Sequence, residues 1–192
     1  MLPTELHPLE PFLPENARLL MLGSFPPQRR RWSMEFFYPN LQNDMWRIYG
    51  EVFFGDRNHF LADGGRAFDR ERIVGFLSRK GIALYDTAAE VIRLKDNASD
   101  NFLQVVREVD LPALLARIPL CRTVVATGQK AADTMCRALG ADTPGVGGHT
   151  CCTVAGRELQ LWRMPSSSRA YPMALEKKAA VYAAMFRSVF DG

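Results

Sequence analysis

Histidine and cysteine are scarce in this chain, at three and four residues among 192. The cysteines, Cys121, Cys136, Cys151 and Cys152, form no C-x-x-C pair, and an adjacent pair does not fit ordinary metal-ligand spacing. No metal site is therefore expected, and the cysteines read as reduced residues of a reducing compartment. No apolar run is long enough to span a bilayer, so no membrane association is expected. The first residues, MLPTELHPLEPFLPEN, lack a basic start and a long apolar stretch. No secretory signal is read there, and the expected location is the cytoplasm. Internal repeats and low-complexity tracts are missing. So are a G-x-S-x-G elbow, a P-loop and a G-x-G-x-x-G turn. An excess of one charge is also missing: 24 Lys and Arg face 21 Asp and Glu, for a net charge of +3 and a pI near 8.8. That balance permits a nucleic-acid partner without demanding one.

What is present suits an ordinary globular chain, 47% hydrophobic and 23% charged, with enough length for a full core. One domain over residues 1–192 is expected, with 1–16 as a proline- and acid-rich extended lead-in. ARLLML at 17–22, IALY at 82–85 and RTVVAT at 122–127 are short apolar runs that read as buried strands. Residues 150–154 and 159–164 read as strands around a turn at Gly156. Helices are expected at 44–54, capped by Asn43-Asp44, at 69–80, stopped by Gly81, and at 99–108. Others are expected at 111–118, from Gly128 to about Leu139, and from about Ala174 to Phe190. Strands alternating with helices predict an α/β fold with a parallel sheet covered on both faces. Sites in such folds lie beyond the carboxyl ends of the strands. Four segments should converge there: 23–27, 86–87, 127–129 and 164–169.

Two of the intervening stretches carry chemistry. Residues 24–43 form a long loop with Arg29-Arg30-Arg31 and the aromatics Trp32, Phe36, Phe37 and Tyr38. Aromatics can stack on bases while arginines meet phosphates. MPSSSRAYP, residues 164–172, offers serine hydroxyls and Arg169 ahead of the last helix.

Taken in order, these residues resemble the uracil-DNA glycosylase superfamily over nearly the whole chain. Gly23-Ser24-Phe25-Pro26 is similar to its first motif, and Pro165-Ser166-Ser167-Ser168-Arg169 to its second, the Pro-Ser loop. Tyr38-Pro39 with Asn43-Asp44-Met45-Trp46 resembles a segment of the mismatch-specific and hypoxanthine-DNA branches. Leu84-Tyr85-Asp86 resembles Leu-Trp-Asp of the hypoxanthine branch. The resemblance implies a three-layer αβα sandwich around a central, mainly parallel four-stranded sheet. It also implies hydrolysis of the N-glycosidic bond of a deaminated base, uracil or hypoxanthine, in base excision repair. DNA is then the partner, no cofactor or metal is used, and a monomer is expected. The iron–sulfur branches need four suitably placed cysteines, which this spacing does not supply.

On that reading Asn43 positions the attacking water, with Asn40 and Asp44 as substitutes. The rigid loop of Gly23, Ser24 and Phe25 aims backbone N–H groups at a base carbonyl. Phe36 or Phe37 stacks on the flipped base, and Asp86 reads its edge. Ser166, Ser167 and Ser168 pinch phosphates, and Arg169 or Tyr171 fills the gap left in the duplex. Two departures support a rival reading, a catalytically silent relative that binds DNA or a damaged base. Phe25 stands where many members carry a water-positioning Asp, Asn or Glu, and Met164 where many carry His or Asn. A third reading is a small-molecule hydrolase using Ser167 and His149.

Overall fold

The computed structural model describes residues 3–95 and 102–191. Its strands are Thr4–Leu6 (β1), Leu19–Gly23 (β2), Ile82–Asp86 (β3), Ala88–Arg93 (β4), Leu103–Glu108 (β5), Thr123–Thr127 (β6), His149–Val154 (β7) and Arg157–Met164 (β8). Its α-helices are Met45–Phe54 (α1), Arg70–Lys80 (α2), Leu111–Ala116 (α3), Gln129–Leu139 (α4) and Leu175–Phe190 (α5), with a 3-10 turn at Arg29–Arg31.

LLMLG and TVVAT have no solvent face, which is why β2 and β6 lie at the centre of the larger sheet, every residue buried. The order is β3-β2-β6-β8-β7. The first four strands are parallel, as expected, and β7 adds a fifth, antiparallel to β8 at one edge. Alternation along β2 splits the core in two. Leu19 and Met21 face the layer of α1, α2 and α5, where Trp46, Tyr49, Phe76 and Phe186 pack. Leu20 and Leu22 face the layer of α3 and α4, beside Leu115, Met135 and Cys136. The result is the αβα sandwich.

Local chemistry fixes the boundaries. The Asp69 carboxylate accepts from Arg72 N–H at the start of α2 (3.0 Å), and Asp110 does the same for Ala113 at α3 (3.0 Å). Gly81 ends α2 with φ +74, its N–H bound to the Leu77 carbonyl. A Cβ there would strike the Asn16 carbonyl oxygen at 2.5 Å, so the tight approach of helix and lead-in requires glycine.

One expectation needs correction. The helix expected over 99–108 is a strand in its described part, β5, while residues 99–101 lie outside the described residues. Leu103 is buried and Val105 half-buried against β4, whereas Gln104 and Val106 are exposed. That is the period of a strand, and pairing with β4 overrides the helical reading. The extended lead-in carries a strand of its own. Its β1 pairs with β4, which the sequence left unassigned, and β1-β4-β5 form a second antiparallel sheet. Phe25, Ala88, Val91 and Leu103 make the small core that fastens this sheet to the loop after β2.

Candidate active site

The loops that leave β2, β3, β6 and β8 are tied to one another. Thr87 N–H donates to the Gly23 carbonyl (2.9 Å), Ala88 N–H to the Ser24 carbonyl (3.1 Å), and Gly128 N–H to the Met164 carbonyl (3.1 Å). All four expected segments therefore meet at one rim. β2 is where the strand order reverses, from β3 on one side to β6 on the other, and open α/β sheets form their crevice at that point. A Cβ on Gly23 would fall 2.4 Å from Asp86 Oδ1 and 3.2 Å from the Tyr38 hydroxyl. Glycine is what lets both polar groups stand over the strand end.

Tyr38 has φ +49 although it is not glycine, and Pro39 follows it. Its hydroxyl lies 3.2 Å from Thr127 Oγ1, and its ring meets Trp46 edge-on at 6.0 Å. Backbone strain of this kind, fixed at both ends of the side chain, concentrates at functional sites.

Asp86 has a partner that sequence reasoning missed. His7, 79 residues away in the lead-in, brings Nε2 to 2.7 Å from Asp86 Oδ2. Both side chains are buried, 3% and 8% exposed. The imidazole packs among Tyr85 (4.7 Å between ring centroids), Phe25 (5.3 Å) and Phe37 (6.2 Å). Burial first, and then the Asp86 charge, push the Tyr85 phenol above its ordinary value, so it remains protonated at neutral pH. No local pattern flags His7, because its partners come from three distant segments.

The second half of the site joins the start of α1 to the Pro-Ser loop. Asn43 and Ser168 form a β-bridge, and Asp44 N–H donates to the Ser167 carbonyl (2.8 Å). The Asn43 Oδ1 accepts from the N–H of Met45, the first residue of α1 (2.9 Å), in a local turn. A carboxamide oxygen has two lone pairs, and this bond leaves one for a water. Asn40 Oδ1 likewise accepts from Gln42 N–H, in a local turn (3.0 Å). Asp44, the other substitute, has a cation on each oxygen: Arg169 Nε on Oδ1 (3.0 Å) and Lys178 Nζ on Oδ2 (3.3 Å). Lys178, wholly buried on α5, also donates to the Ser168 carbonyl (2.8 Å). The Tyr182 hydroxyl donates to the Pro165 carbonyl (2.8 Å). Burial holds the Tyr182 phenol well above its usual range, so it stays a donor. Lys178 was legible in principle: it shares the apolar stripe of Ala179, Tyr182, Met185, Phe186 and Val189, where an unpaired ammonium would be costly.

Three carbonyls of the Pro-Ser loop are thus pinned. The Ser166 hydroxyl accepts from Ser168 N–H and the Ser168 hydroxyl from Ala170 N–H, both at 3.2 Å. Ser167 is buried, Tyr171 half-buried, and the Arg169 side chain half exposed despite its ion pair. Arg29 stacks over Trp32 at 4.6 Å and pairs with Glu35.

Phe36 is one of the two residues expected to stack on a flipped base. It lies in the core, edge-on to Phe12 (5.4 Å) and Phe37 (5.2 Å). Phe37 is buried too, but closer to the site through its contact with His7. Phe25 turns away from the rim into the small core under the second sheet, with Arg93 over its ring at 5.9 Å. Arg93 clamps Glu5 with two 3.0 Å bonds and donates to the Pro26 carbonyl (3.2 Å), so the second sheet braces the stiff loop. Met164 is fully buried. Neither Phe25 nor Met164 can activate water. His149 stacks on Trp162 at 4.4 Å, and among the described residues no hydrogen bond joins it to Ser167. A cavity of about 460 Å³ opens at the opposite end of the sheet, by Arg18, Thr123, Gln160 and Ser188, away from this chemistry.

No family model matches the chain, and no curated protein matches it. Among solved structures it is similar to a solution structure from Methanosarcina acetivorans, described as a "putative Uracil DNA glycosylase". The two share 22% identity and a TM-score of 0.63, over 94% of this chain and 96% of the other. The likeness extends to the full architecture, and the chain has a uracil-DNA-glycosylase-like fold.

Proposed function

We propose that this protein belongs to the uracil-DNA glycosylase superfamily and, as a monomer, hydrolyses the N-glycosidic bond of a deaminated base in DNA. One observation carries the reading. Gly23 and Tyr38 stand beside an acceptor carboxylate, Asp86, at the switch point of the sheet, and Asn43, five residues after Tyr38, is bridged to the Pro-Ser loop on the same rim. The shared fold agrees with it, and the residues supply the specificity.

In the reaction, the water oxygen bonds to C1′ of the sugar while the C1′–N bond breaks. The electron pair leaves with the base, and the water proton passes to base or solvent. The sugar becomes cation-like and the base anionic, so the protein must hold a water and supply acceptors and donors around the base. Asn43 holds the water with its remaining oxygen lone pair. Asp86 accepts from uracil N3–H or hypoxanthine N1–H. The base enters by extrusion from the duplex, with Ser166, Ser168 and the Arg29–Arg31 turn against flanking phosphates and Arg169 or Tyr171 in the vacated stack.

The test is incubation with duplexes carrying one uracil or one hypoxanthine, followed by alkali. Strand cleavage that disappears in Asn43→Ala supports the reading, and full cleavage by a folded Asn43→Ala protein removes Asn43 from it. The silent-binder reading is favoured by one specific observation: Phe25 and Met164 face cores, not the rim. Salt-sensitive binding to both duplexes without cleavage would select it.

A further inference from the structure

We propose that His7 is the positioning residue of the base-reading site. Its Nε2–H holds Asp86 as an acceptor-only carboxylate with Oδ1 presented beside Gly23. The site then favours bases with a ring N–H over cytosine and adenine. This inference rests on the glycosylase reading above and deepens it to the class of base.

With Asp86 as the carboxylate, the geometry selects the direction of the hydrogen bond. His7 Nδ1 has both kinds of partner on one residue: the Leu9 carbonyl at 2.9 Å and the Leu9 N–H at 3.1 Å. A neutral ring protonated on Nε2 accepts from the Leu9 N–H. A protonated ring donates to the Leu9 carbonyl instead. In both states Nε2 carries a proton toward Asp86 Oδ2, 2.7 Å away. The remaining neutral tautomer would set the Nε2 lone pair against a carboxylate oxygen, lone pair to lone pair. Among the described residues, the ring meets two titratable side chains, Asp86 and Tyr85, and the rings of Phe25 and Phe37.

A purely structural purpose explains the pair poorly. Buried ionic pairs are commonly replaced by apolar ones without loss of stability. Here, in addition, Gly23 keeps open the space where Oδ1 stands, and a methyl group would close it. One carboxylate oxygen is occupied by His7 and the other is held at the rim. Deamination turns cytosine N3 and adenine N1 from acceptors into N–H donors. A carboxylate clamped in this way attracts the deaminated forms and repels the lone pairs of the normal ones.

Two measurements test the proposal. Histidine ¹⁵N NMR of the whole protein at neutral pH should show His7 protonated on Nε2. A bare Nε2 overturns the proposal without any substitution. In parallel, single-turnover excision from a uracil duplex is compared with binding to an abasic-site duplex. His7→Phe keeps the ring packing and should bind the abasic duplex like the parent, yet excise uracil about 10- to 100-fold more slowly, as for a displaced reacting group. His7→Gln carries an amide donor at similar reach and should restore most of the rate. Full activity in His7→Phe, or a folded His7→Gln as slow as His7→Phe, overturns the role of His7 alone. A parent protein that releases neither uracil nor hypoxanthine overturns the glycosylase reading and this inference together.

Discussion

Lys178→Met is the substitution whose consequences the structure defines most fully. Lys178 is wholly buried, and its ammonium serves two acceptors, Asp44 Oδ2 at 3.3 Å and the Ser168 carbonyl at 2.8 Å. Methionine fits the volume but leaves both acceptors short of a donor. Breaking a buried pair by removing one partner costs about 3–5 kcal/mol. Arg169 still neutralises Asp44 from the half-exposed side, so the lower end, about 3 kcal/mol, is expected here. The assay is urea denaturation followed by tryptophan fluorescence, read as a fall in midpoint at unchanged slope. Activity should fall further than stability explains, because the same lysine fixes the Pro-Ser loop against Asn43. Removing the second charge as well, in Asp44→Leu with Lys178→Met, should recover much of the stability but not the activity. A single variant less than about 0.5 kcal/mol weaker than the parent would refute the reasoning, since that is the range of ordinary surface changes.

Gly23→Ala drives a methyl group into Oδ1 of Asp86, a carboxylate that His7 anchors through Oδ2, and should abolish base release at a stability cost of about 1–3 kcal/mol; excision and melting assays on one preparation check both. Duplex affinity should fall steeply with salt, and replacing Arg29, Arg30 and Arg31 together by alanine should flatten a log–log plot by up to about three in slope; an unchanged slope removes the turn from the interface. Burial pushes the Cys121 thiol up to about 11 from an ordinary 9.0. The folded value is the higher, so the contribution of this thiol is complete below pH 9 and is lost as pH rises toward 11, by up to about 3 kcal/mol. Chemical denaturation at pH 8 and 10.5 should show the loss, and Cys121→Ala should lessen it.

The larger sheet was legible because its strands are written in uninterrupted apolar runs, LLML and TVVA, with glycine or aspartate marking each end. Caps and stops were legible for the same reason: Asp69 and Gly81 act on their own neighbours. The second sheet was not. Neither β1 nor β4 has a strong local pattern, and β5 carries a mixed one that pairing alone resolves. In the site, the loops and their convergence followed from strand order, whereas the partners of each side chain did not. Asp44 lacks a local sign that Lys178 and Arg169 will occupy it, 134 and 125 residues away. The aromatic loop reads as a stacking surface by composition, but burial took Phe36 and Phe37 for the core. His7 escaped notice because a histidine among prolines and acids looks solvated until the lead-in is folded back onto β3 and β4.

The most direct measurement is chromatographic detection of free base after single-turnover incubation with four duplexes. These differ at one position, carrying uracil, hypoxanthine, cytosine or adenine. The account predicts release of uracil, hypoxanthine or both, and retention of cytosine and adenine, whose ring nitrogens offer Asp86 a lone pair in place of a proton. Release of none of the four, or release of cytosine or adenine at the same rate as the deaminated bases, would contradict it.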